Sequence, residues 1–125
     1  MAQNKSFRFG PVALTTTLTT NILNPDLTSV TGPIGFTMTD PYIILRHIRI
    51  VNKTAGAVTF SLWLGATGAN AAGTEVIGQG YSIAANSAFD WYGALRIDAA
   101  DFLVGGAGTT TALSIEGEGE IGVSG

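Results

Sequence analysis

Apolar and polar residues alternate along most of this chain with a period of two. Val58, Phe60, Leu62 and Leu64 share one parity while Thr59 and Ser61 hold the other, as in a strand with one buried face. Val12, Leu14, Leu18 and Ile22 oppose Thr15, Thr17 and Thr19 in the same way and predict a strand over 11–23. Turn residues around Asn24 and Pro25 follow, then a short strand through Ile34, Phe36 and Met38. Residues 42–52 are the most apolar segment. Ile48 and Ile50 fit the opposite phase from Ile43 and Leu45, so a β-bulge is expected near Arg46, or burial on both faces there.

The segment 52–56, ending in Gly56, predicts a hairpin that would pair 42–52 antiparallel with 58–64. The small-residue stretch 65–73 reads as a loop on a surface or at a contact. Short strands are expected at 75–77 and 81–83, with a turn over 84–87. Phe89, Trp91, Leu95 and Ile97 then share one parity, and a last strand over 109–123 buries Leu113, Ile115, Ile121 and Val123. No segment repeats apolar residues at helical spacing. About eight strands with frequent turns predict an all-β fold, an antiparallel β-sandwich or jelly-roll-like barrel.

The chain has 125 residues, enough for one core, and divides into an N-terminal arm over 1–10 and a single domain over 11–125. Phe7 and Phe9 alternate with Arg8 in that arm, which could reach a neighbour or fray. Charged residues make up 12%, about half the roughly 25% usual in soluble proteins, and Gly reaches 17. Such a surface suits a protein covered by partners. A net charge of −3 argues against nucleic-acid binding, and the absence of Cys removes disulfides, thiolate metal sites and cysteine nucleophiles. The first residues form no apolar leader, and the longest apolar run, 42–45, is far short of the roughly 20 residues of a membrane span. Synthesis in the cytoplasm without membrane insertion is expected.

Candidate chemistry is sparse. Glu116, Glu118 and Glu120 alternate with Gly and should line one strand face, as a solvated edge, an interchain contact or a calcium site. Arg46, Arg49 and Lys53 are the cations expected to compensate them. His47, the one histidine, is expected as an outward strand residue paired with its neighbours. Asp90, Asp98 and Asp101 could supply a glycosidase carboxylate pair, which spacing alone does not establish. Trp63 lies opposite the inward parity of its strand, so a covering loop, a protein interface or a sugar platform must account for it. Tyr92 holds a similar place opposite Trp91, as a cross-strand pair at a sheet edge or as part of an interface.

Residues 45–68 run from Leu45-Arg46-His47-Ile48 through Val51-Asn52 to Trp63-Leu64-Gly65-Ala66-Thr67-Gly68, and 83–93 read Ala84-Ala85-Asn86-Ser87 before Phe89-Asp90-Trp91-Tyr92. In these segments the chain resembles small virion proteins of tailed bacteriophages. The resemblance implies a β-sandwich on the phage particle and carries over no catalytic residue. The resulting expectation is a non-enzymatic virion protein without cofactor or metal. Its role would be a capsid decoration (cement) protein that binds the major capsid protein or another virion protein as a homo-oligomer, with a trimer favoured. The alternative is a tail-tip or baseplate receptor- or carbohydrate-binding module. Interface candidates are Phe7, Phe9, Trp63, Tyr92, Glu116, Glu118 and Glu120.

Overall fold

The computed structural model describes residues 5–23, 30–31, 41–98 and 101–123. Nine strands occur among them and no helix: β1 (Lys5–Ala13), β2 (Asn21–Leu23), β3 (Val30–Thr31), β4 (Pro41–Asn52), β5 (Val58–Gly65), β6 (Ile77–Ile83), β7 (Ala88–Ile97), β8 (Phe102–Ala107) and β9 (Leu113–Val123). They form a five-stranded sheet, β3-β1-β9-β4-β7, and a four-stranded sheet, β2-β8-β5-β6. All ladders are antiparallel. Both sheets keep open edges, so the fold is a sandwich and not a closed barrel. The expected strand through Ile34 and Met38 lies outside the described residues.

Alternation decides what lies between the sheets. Ile43, Leu45, Ile48, Ile50 and Ile115 are fully buried on the inner face of the large sheet, and Phe60, Leu62 and Leu103 face them from the small one. Each such side chain contributes about 1.5–3 kcal/mol on leaving water. The bulge expected near Arg46 is present: the register of β4 shifts between Leu45 and His47 against both β7 and β9. That extra step lets Ile43 and Leu45 share the core with Ile48 and Ile50.

Four expectations are corrected. Residues from Lys5 onward are not an arm but β1, paired with β9, and Phe7 and Phe9 are buried in the core. Phe7 lies opposite Gly119 and Phe9 opposite Gly117 in that ladder, so no cross-strand side chain competes with either ring for space. The strand expected over 11–23 ends at Ala13. Gly10, at a positive φ of 73°, sits in the register shift between Phe9 and Val12, where a Cβ would strike the carbonyl of Ile115. Beyond it Leu14 and Ile22 are buried, but Val12 and Leu18 are exposed.

The third correction concerns β4 and β5, which do not form a hairpin. β4 pairs with β7 and β9, while β5 pairs with β6 and β8, so residues 53–57 carry the chain from one sheet to the other. Asn52 explains the corner. Its Nδ2 donates to the carbonyls of Gly56, Ile83 and Ala84, and its Oδ1 accepts from Thr54 N and Thr54 Oγ1. The side chain thus stands in for the strand ladder that the corner interrupts, which is why a fully buried polar residue is tolerated there. Residues 52–54 and 86–87 meet at this point, because Asn52 N also donates to Ser87 O and Asn86 N to Thr54 O. The expected strands at 75–77 and 81–83 are one strand, β6, whose register against β5 shifts between Phe60 and Leu62.

Candidate interface surfaces

The outer face of the large sheet gathers most of the charge. Because β9 buries Leu113, Ile115 and Ile121, the intervening Glu116, Glu118 and Glu120 stand on the opposite face, roughly 7 Å apart at i and i+2. The glutamates are not on an edge, in contrast to the solvated edge expected from their alternation. β9 lies in the middle of the sheet between β1 and β4, and its neighbours bring cations to it. Arg46, the bulge residue, donates from Nη2 and Nε to Glu120 Oε2 at 2.9 and 3.0 Å. The imidazole of His47 lies 3.4 Å from Glu118 Oε1 on one side and 2.8 Å from Asp90 Oδ1 on the other. Arg8 is opposite Glu118 and Arg49 opposite Glu116 in register, and Arg49 also reaches Asp90 at 3.4 Å. Lys53 lies beyond the end of β4.

These pairs balance charge without contributing much stability. The side chains of Arg46 and Glu120 are 50% and 37% exposed, and such pairs contribute about 0–1 kcal/mol. Tyr92, 73% exposed, stacks on His47 with centroids 4.6 Å apart and planes within 15°, the cross-strand pair expected at a sheet edge. At the other end of β7, Arg96 donates to Asp98 at 2.7 Å and lies over the ring of Tyr42.

The arrangement does not bring Asp90 and Asp98 together as a glycosidase pair. Asp90 and Asp98 are eight residues apart along β7 and its end, about 26 Å in an extended strand. Asp101 lies near Asp98, to whose carbonyl its backbone N donates, and the Asp98 carboxylate accepts from Arg96 Nε. Among the described residues no group of three His, Asp or Glu is placed to hold a metal ion. The hollow between Arg8, His47, Glu116 and Glu118 holds about 110 Å³, below the roughly 300 Å³ at which ligand pockets begin.

The other side of the sandwich is built differently. No Asp, Glu, Lys, Arg or His occurs in β2, β5, β6 or β8. Trp63 and its register partner Val104 point outward from this sheet and are nevertheless buried. Residues 66–75 account for this: Ala71 O accepts the indole N–H of Trp63 at 3.0 Å. Next to them, residues 15–20 lie against Gly106, where a Cβ would meet the carbonyls of Thr15 and Thr17 and the side chain of Leu18. Gly68 N donates to Asn21 Oδ1, and its α-carbon faces Thr19, so the two loops touch. The exposed side is therefore mainly Thr, Ala, Gly and Asn with Leu18, and Glu75 is the one charged residue in 15–20 and 66–75.

Of the seven interface candidates, the structure gathers Tyr92 and the three glutamates on one outer face and places Phe7, Phe9 and Trp63 inside the protomer. Trp63 and Tyr92 belong to different sheets, so they do not form a shared sugar platform. Sequence reasoning missed Asn52, Arg8 and the pairing of Phe7 and Phe9 with Gly119 and Gly117. The matching Phe-Arg-Phe and Gly-Glu-Gly alternations were the available signal for the pairing. No protein-family model matches the chain, and no curated protein matches it.

Proposed function

We propose that the protein is a structural component of a bacteriophage virion, a capsid decoration protein that binds the major capsid lattice as a homo-oligomer. The observation that carries this reading is the segregation of charge between the two sides of one small sandwich. The large sheet presents the ion-pair network and the glutamate ladder, while the loops over the small sheet, 15–20 and 66–75, carry Glu75 as their one charge among mostly small side chains. Interface centres are depleted in charge, so the loop side would seat on the capsid and the ladder would face solvent. The phage resemblance of the two segments joined at Asn52 supports the same reading.

The test is to purify virions that carry this gene and look for the protein by mass spectrometry and in a map of the particle. Regular copies on the capsid shell are expected, and loss of binding by Thr17→Glu and Asn70→Glu variants with Glu116, Glu118 and Glu120 dispensable. Absence from particles, or density confined to the tail, would overturn the reading.

A further inference from the structure

We propose that β7 pairs with β7 of a second copy of the chain, antiparallel about a two-fold axis at Gly93, so that two five-stranded sheets become one ten-stranded sheet. β7 is the terminal strand of its sheet, and among the described residues no strand pairs with its outer edge. Ten residues long, it is the longest edge strand among the described residues. Such edges are normally blunted by lysine, proline, an inward charge or a bulge. Ala88–Ile97 has no lysine, proline or inward charge, its charges Asp90 and Arg96 both being on the outward parity; the one irregularity is the register shift against β4 between Tyr92 and Leu95, across which β7 keeps its own alternation.

The apolar layer also runs out at this rim. Ile43, Leu45, Ile48 and Ile50 on neighbouring β4 are fully buried, whereas Phe89, Trp91 and Leu95 on β7 are only partly covered. Across the opening β6 holds Tyr81, 49% exposed, with its ring 4.9 Å from that of Phe89. Another strand beside β7 would complete the layer.

The strand's own sequence selects the occupant. Asp90 and Arg96 are each three residues from Gly93. In an antiparallel pair centred there, Asp90 faces Arg96 of the second copy, and the reverse, twice over. Trp91 then faces Leu95 of the second copy, Phe89 faces Ile97, and the large Tyr92 faces the small Ala94. A dyad at Ala94 would oppose Asp90 to Asp98, two like charges, and a dyad at Tyr92 would leave Asp90 opposite Ala94. Both groups have capacity for a further bond: Arg96 uses Nε on Asp98 out of five N–H donors, and Asp90, which already meets His47 at 2.8 Å and Arg49 at 3.4 Å, keeps one of the roughly four bonds a carboxylate accepts. This two-fold contact makes a dimer in place of the trimer expected from the sequence, and holds whether or not the protein is part of a virion.

Sedimentation equilibrium of the purified chain tests it, because association is read in solution without a particle. A dimer with a dissociation constant of about micromolar order is expected for so small an interface. Asp90→Arg or Arg96→Asp alone should weaken it about tenfold or more, with the circular dichroism spectrum unchanged, and the double reversal should restore it. Rescue has to come from a second copy, since the two residues are about 20 Å apart along one strand. The chain has no cysteine, so a mixture of Tyr92→Cys and Ala94→Cys proteins should oxidise to a covalent dimer much faster than either alone. A monomer up to about 100 µM, a dimer indifferent to both reversals, a double reversal that fails to recover, or cross-linking without preference for the mixture would each overturn the proposal.

Discussion

The ring of Phe9 on β1 occupies the space that a side chain at Gly117 on β9 would need. A Cβ at Gly117 would collide with Cε1 of the ring and come within 2.8 Å of the His47 carbonyl. The residue with no side chain and the large aromatic form one unit of the core, opposite each other in the ladder.

Substitutions there should therefore be costly and coupled. Gly117→Ala is expected to destabilise by about 1–3 kcal/mol through overpacking, and Phe9→Ala by about 3–5 kcal/mol through the cavity it leaves. The double variant should lose less than the sum, because removing the ring frees space for the new methyl. Urea denaturation of the four proteins measures this, and strict additivity would show that the contact is not the cause.

Asn52 is expected to be the most sensitive polar position. Asn52→Ala leaves the carbonyls of Ile83 and Ala84 without their donor at a buried corner and should cost about 3 kcal/mol. Asn52→Asp should do no better, since a carboxylate offers no N–H to three carbonyls. A midpoint of chemical denaturation equal to wild type for Asp would contradict the assigned bonds.

Trp63 should act within the protomer. Trp63→Phe removes the indole N–H bonded to Ala71 O and is expected to cost about 1 kcal/mol. Self-association, read by sedimentation, should stay as in the wild type. A loss of association with unchanged stability would place the indole in an interface.

The glutamate ladder should contribute little to folding. Replacing Glu116, Glu118 and Glu120 together by Gln removes both repulsion and exposed pairs worth about 0–1 kcal/mol each, so the melting temperature should move by only a few degrees in physiological salt. Chelator should leave wild type and variant melting alike. A chelator-sensitive wild type beside an insensitive variant would mark a cation site on the ladder.

Much of this architecture is local information, legible in the order of residues alone. A period of two assigns each residue to a face by its neighbours, so the inward set of β5, the outward glutamates of β9 and the bulge where β4 changes phase at Arg46 can all be read from the chain. The low charge content likewise follows from composition.

Strand pairing is not local. Alternation says which face a side chain takes but not which strand lies beside it or which sheet it joins. Only the tertiary structure put Phe7 and Phe9 opposite two glycines more than 100 residues away, sent β4 and β5 to different sheets through Asn52, and moved the glutamate ladder from an edge to the middle of a sheet. For Trp63, parity gave outward, and a loop from the same chain made it buried. The physical reason is common to all four: the face of a strand depends on residues one and two positions away, whereas its partner depends on free energy summed across the whole sandwich.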